Sequence, residues 1–142
     1  MGNLVIFFSR NKEILKIVSK YKEIYNASVY EIETTNNINF FNKLKSTFLS
    51  NSINIKKCNL NLSNYQNIIL ISPLWFNKIP SPVIRFLEMQ TGKINNIIYV
   101  LFSKSLDNPS EFDKMDKILN LRRDKSYFVS LDKNDIHVRV YQ

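Results

Sequence analysis

The sequence predicts an α/β domain built on a single, doubly wound parallel sheet, and three observations lead there. Leu4–Phe8, Ile68–Ile71 and most of Asn96–Phe102 are short apolar runs, the pattern of strands buried on both faces. The stretches between them carry apolar residues at spacings of three and four, as amphipathic helices do. Strand and helix signals alternate along the chain, so neighbouring strands must pair in parallel through crossovers.

Taken in order, Leu4-Val5-Ile6-Phe7-Phe8 is the first strand, and Ile14, Leu15, Val18, Tyr21 and Tyr25 mark the inner stripe of the helix after it. Ser28–Glu33 alternates polar and apolar, which suits an edge strand. A second helix carries Phe41, Leu44 and Phe48 on one stripe, with Asn39 placed to cap it. An Asn-rich connection leads through Tyr65 into the strand Asn67–Ser72. The next helix starts with Ser81 as N-cap and Pro82 in its first turn, and Gly92 stands past its end, where a left-handed residue is favoured. After the strand Asn96–Phe102, Asn108-Pro109-Ser110-Glu111 reads as a capping box for a helix with Phe112, Met115 and Leu119 inward. A fifth strand spans roughly Ser126–Leu131. Strands one, three and four are the continuously apolar ones and belong in the middle, giving the order 2-1-3-4-5. Ile136–Tyr141 alternates like an extra C-terminal strand, able to pair within the chain or, as a homodimer, with a second copy.

At 142 residues the chain makes one domain, large enough to bury a core without disulfides or metals. No apolar run is long enough to span a bilayer, so no membrane partner is expected. The chain opens on a strand rather than a leader, and it holds a single cysteine, Cys58; both lead to the expectation of a cytoplasmic protein. The net charge of +8 favours acidic partners or anionic ligands. Nucleic acid is not expected, because a doubly wound sheet has its faces covered by helices and offers no aromatic platform. One cysteine and one histidine, His137 on the polar side of its strand, leave no thiol–histidine pair, serine triad or metal cluster.

The segment with most chemical character is Ser72-Pro73-Leu74-Trp75-Phe76-Asn77-Lys78-Ile79-Pro80, which holds the only tryptophan. It follows a central strand, and ligands of open α/β sheets sit at the carboxyl ends of such strands. An aromatic pair on a proline-stiffened loop suits stacking on a flat ring; it also suits closing the top of the core.

The chain resembles the flavodoxin family. Leu4–Arg10 resembles its first strand and the start of its phosphate loop, and Tyr65–Lys78 its third strand and first flavin-stacking loop. Ile79-Pro80-Ser81-Pro82 with Phe86-Leu87 resembles the helix that follows, and Ile97–Ser103 the fourth strand. The resemblance spans most of residues 3–131 and implies FMN as cofactor and electron transfer as function, rather than substrate chemistry of the protein's own; the basic charge of this chain adds the expectation of an acidic redox partner. It places Trp75 on the isoalloxazine, with Phe76 at its edge and Asn77 and Lys78 along its redox-active side. Pro73 and Leu74 belong to the same loop. Ser9, Arg10, Asn11 and Lys12 would hold the phosphate, and Ser103, Lys104 and Ser105 form the third loop. The family's phosphate loop reads Ser/Thr-x-Thr-Gly-Asn-Thr, whereas here Ser9-Arg10 passes directly to Asn11-Lys12-Glu13, two residues shorter and without glycine. Asn77 is the residue best able to take the positive φ that a glycine often supplies in these loops. The alternative reading is a flavodoxin-fold interaction module that has lost its flavin.

Overall fold

The computed structural model describes residues 2–35, 39, 53–104, 107–132 and 135–141. Six strands form one sheet in the order β2-β1-β3-β4-β5-β6. They are β1 (Asn3–Phe8), β2 (Ser28–Ile32), β3 (Asn67–Pro73), β4 (Ile97–Phe102), β5 (Lys125–Asp132) and β6 (Asp135–Tyr141). The first five pair in parallel, as expected, and β6 closes antiparallel onto β5 from Asp132↔Asp135 to Ser126↔Tyr141. The C-terminal strand thus finds its partner within the chain. The helices are α1 (Lys12–Tyr25), α2 (Ser81–Met89) and α3 (Ser110–Leu119), with one short 3-10 turn at Leu62–Asn64. The helix expected around Phe41, Leu44 and Phe48 lies outside the described residues.

Both faces of the central strands β1, β3 and β4 are buried. Leu4, Ile6, Leu70, Tyr99, Leu101 and Phe128 pack with Val83, Phe86, Leu87, Phe112 and Met115 of α2 and α3. Val5, Phe7, Ile69, Ile71, Val100 and Val129 pack with Ile14, Ile17, Val18 and Tyr21 of α1. The stripe of α1 is rotated from the expected one: Ile17 is buried and Leu15 exposed. At about 100° per residue, positions 14, 17, 18 and 21 share one narrow arc that Leu15 leaves. The amino ends of the central strands are tied by an asparagine ladder, in which Asn96 donates to Asn67 (2.6 Å), Asn67 to Asn3 (2.8 Å) and Asn3 to the Tyr25 carbonyl (2.7 Å).

Two helix starts differ from the sequence reading. The N-cap of α2 is Pro80, with Ser81 already helical, and the Ser81 hydroxyl instead accepts from the Ile53 amide at 3.3 Å. No capping box closes α3, whose N-cap is Pro109. The Glu111 carboxylate that would complete it turns across the fold to the Ile79 amide at 3.0 Å. In both cases a tertiary demand on the side chain outweighs a local one. Gly92 has φ +78, the left-handed geometry read from its position.

Candidate functional site

Parallel strands deliver their following loops to one end of the sheet, and reversal of winding between β1 and β3 separates those loops into a crevice. The loops after β1, β3 and β4 meet there around a cavity of about 270 Å³. Pro73, Leu74, Trp75 and Phe102 give it an apolar wall, and Ser9, Asn11, Asn77, Ser103 and Lys104 give it a polar rim. Ser72 precedes it, fully buried, its hydroxyl donating to the Pro73 carbonyl at 2.8 Å.

The β3 loop is a tight reversal. The Trp75 amide donates to the Lys78 carbonyl at 2.8 Å and the Lys78 amide to the Trp75 carbonyl at 3.0 Å. The two residues between them, Phe76 (φ 51) and Asn77 (φ 62), both have left-handed backbones. Positive φ at both central positions is the signature of a type I′ turn, which favours Asn and Gly and disfavours an aromatic in the first place. The strain is held from outside. Asn108 donates to the Asn77 carbonyl at 2.9 Å, Glu111 takes the Ile79 amide, and the Leu74 amide donates to Phe102 at 3.2 Å. The positive φ at Asn77 agrees with the sequence reading; the one at Phe76 was not legible, since Phe has no preference for that region.

The two aromatics play unequal parts. Trp75 is 8% exposed, edge-on to Phe8 with ring centroids 5.4 Å apart, and joins the core while one side of it faces the cavity. Phe76 is 38% exposed and does not line the cavity.

The β1 corner is arranged differently. Ser9 takes φ 83, also left-handed. Asn11 caps α1, its side-chain oxygen accepting from the Ile14 amide at 2.7 Å. Arg10 points to β2, where its Nε donates to both Glu31 carboxylate oxygens at 2.8 Å, and this pairing raises the guanidinium pKa. Glu13 lies in the first turn of α1, where its carboxyl accepts from its own backbone amide and is held below the ordinary glutamate value, with help from Lys104. The Lys104 ammonium is 3.5 Å from it.

Of the residues expected at the site, the cavity therefore gathers Ser9, Asn11, Pro73, Leu74, Trp75, Asn77, Ser103 and Lys104. Arg10, Lys12, Phe76 and Lys78 do not line it, and Ser105 falls outside the described residues. Sequence reasoning missed Phe102, whose place as the last residue of an apolar strand was the available signal. It also missed a brace under the third loop. Arg139 of β6 donates to both Asp107 oxygens at 2.7 Å, and the Tyr141 hydroxyl donates to the same carboxylate at 2.7 Å.

A larger cavity, about 870 Å³, opens at the opposite end of the sheet. It is lined by charges of both signs, and Arg123 spans Asp113 (3.0 Å) and Asp116 (2.8 Å) there. Tyr127, Val140 and Tyr141 stand beside these charges, and none of the residues expected at the site lines this cavity. Among the described residues there is no cluster suited to a metal ion and no helix long and apolar enough to cross a membrane.

No family model matches the sequence, and no curated protein matches it. Solved structures do match in shape. A flavoprotein from Lactobacillus acidophilus in complex with FMN superposes with a TM-score of 0.73 at 15% identity, covering 91% of each chain. The apo-form of the flavoprotein from that organism gives 0.74 at 14%, covering 93% of each. A Bacteroides uniformis protein proposed to be a flavoprotein gives 0.77 at 18%, covering 94% of this chain and 92% of its own. At such identities the likeness speaks to architecture, and it agrees with the strand order read here: the chain has the flavodoxin-like fold.

Proposed function

We propose that the chain binds a flavin of the FMN class in the crevice after β1, β3 and β4 and serves as a small electron carrier. The observation that carries this reading is the strained type I′ turn at Trp75–Lys78, braced by α3 and β4 beside an apolar-walled cavity. Backbone strain of this kind persists where surrounding structure enforces it, and it gathers at binding sites. The FMN in the Lactobacillus neighbour supports the same choice of ligand. Bound flavin would supply the electron chemistry, one or two electrons at a time.

The chain's part is to hold and shield. Leu74, Trp75, Pro73 and Phe102 exclude water from one side of a flat ring, while Asn77, Ser9 and Ser103 bring hydrogen-bonding groups to its rim. The net charge of +8 supports an acidic redox partner, with association that weakens as salt screens it.

A second reading, an interaction module without flavin, is favoured by the burial of Trp75 against Phe8. The visible spectrum of the purified protein and a fluorescence titration with FMN decide between them. Quenching that saturates at one FMN per chain supports the carrier. A colourless protein indifferent to FMN at high concentration supports the module.

A further inference from the structure

We infer that the site recognises the flavin by its ring and leaves the phosphate unrecognised, so that FMN and riboflavin bind almost alike. This rests on the flavin reading above and concerns which part of the ligand carries affinity. Phosphate is gripped at a helix N-terminus by amides that have no other partner, aided by cations that have no other counter-ion. The α1 corner has already engaged groups of both kinds. The Ile14 amide is taken by the Asn11 side chain at 2.7 Å, and Glu13 places its carboxylate in the same first turn. An acidic side chain thus already occupies the first turn, where the end of the helix favours negative charge.

Two of the three cations are already paired, and the third lies off the cavity. Arg10 is paired with Glu31 on the β2 side and does not line the cavity. Lys104 lines it but faces Glu13 at 3.5 Å. Lys12 is exposed and off the cavity. A dianion arriving here meets Glu13 and Lys104 as a pair with little net charge, and salt screens what the exposed Lys12 contributes. The ring end, by contrast, has a formed apolar wall.

The test is a titration of the full chain with FMN, riboflavin and lumiflavin under identical salt. Riboflavin is expected within about threefold of FMN, because an exposed, already paired charge adds little. Two unshared charge-assisted bonds to phosphate would instead separate them by about a hundredfold or more. Glu13→Gln, which frees Lys104, is expected to tighten FMN while leaving riboflavin unchanged; Arg10→Ala is expected to change neither. A strong preference for FMN that Arg10→Ala removes overturns the inference and leaves the flavin reading intact. Failure of all three ligands to bind overturns the flavin reading and the inference with it.

Discussion

The corner after β3 and the corner after β1 flank one cavity, yet they satisfy their backbones by opposite means. In the first, Phe76 and Asn77 sit in the left-handed region, and the flanking amides of Leu74 and Ile79 are met by Phe102 and by Glu111 from other elements. In the second, Asn11 caps the start of its own helix at the Ile14 amide, and Glu13 of that first turn pairs with Lys104 from the loop after β4. A loop braced from a distance keeps a shape that it would not choose alone, and that shape is available to a ligand. A corner that satisfies itself is stable by default and has less to offer an incoming group.

The comparison breaks most visibly at Trp75. Trp75→Ala removes a buried indole and is expected to cost about 3–5 kcal/mol in urea unfolding. Trp75→Phe is expected to keep the fold and weaken ring binding, which separates the core part of the residue from its part in the site. Next comes the brace. Glu111 is 6% exposed and takes the buried Ile79 amide, so Glu111→Ala is expected to cost about 1–3 kcal/mol. Glu111→Gln, which keeps an acceptor, is expected to cost less; equal losses in denaturant midpoints would show that the bond does not support the turn.

Phe76→Asn sharpens the contrast from the other direction. It puts a residue tolerant of positive φ where Phe now stands and is expected to stabilise by up to about 1 kcal/mol. A fall in Tm would show that Phe76 packing outweighs backbone strain. The smallest effect is acid dependence at the Asp107 brace. The Arg139 hydrogen bond holds the Asp107 carboxyl below its ordinary 3.8 against an upward push from burial, and Tyr141 adds a smaller downward pull. Because the folded value is the lower one, the stabilisation is complete above the unfolded value and fades as pH falls through the folded one. The stability gap between the protein and Asp107→Asn should therefore narrow at the acid end, and a gap constant with pH would exclude this linkage.

The sheet order was legible because apolar continuity distinguishes central from edge strands, and Leu4–Phe8, Ile68–Ile71 and Ile97–Phe102 carry that signal without ambiguity. The loop bearing Trp75 was legible for the same reason, as the exit of a central strand. What stayed hidden was the use of polar side chains over long separations. Glu111 looks like part of a local cap and serves a loop 32 positions away. Arg10 looks like a phosphate ligand and pairs with Glu31 across the sheet edge. Arg139 and Tyr141 look like the polar side of a strand, yet they hold Asp107. Local pattern ranks what a side chain can do nearby; only the tertiary arrangement decides which partner wins.

The pairing of β5 with β6 also bears on the order in which the molecule comes together. Among the described strands it is the one antiparallel pair, joined through residues 133–134 alone. Every other pair is parallel and needs a crossover. Closing a short turn costs far less chain entropy than closing a crossover, so this hairpin is the part of the sheet that can form early. The crevice requires β1, β3 and β4 in register together, contacts that span much of the chain. The crevice end is thus expected to be a late event in folding, completed after the β5–β6 hairpin has formed.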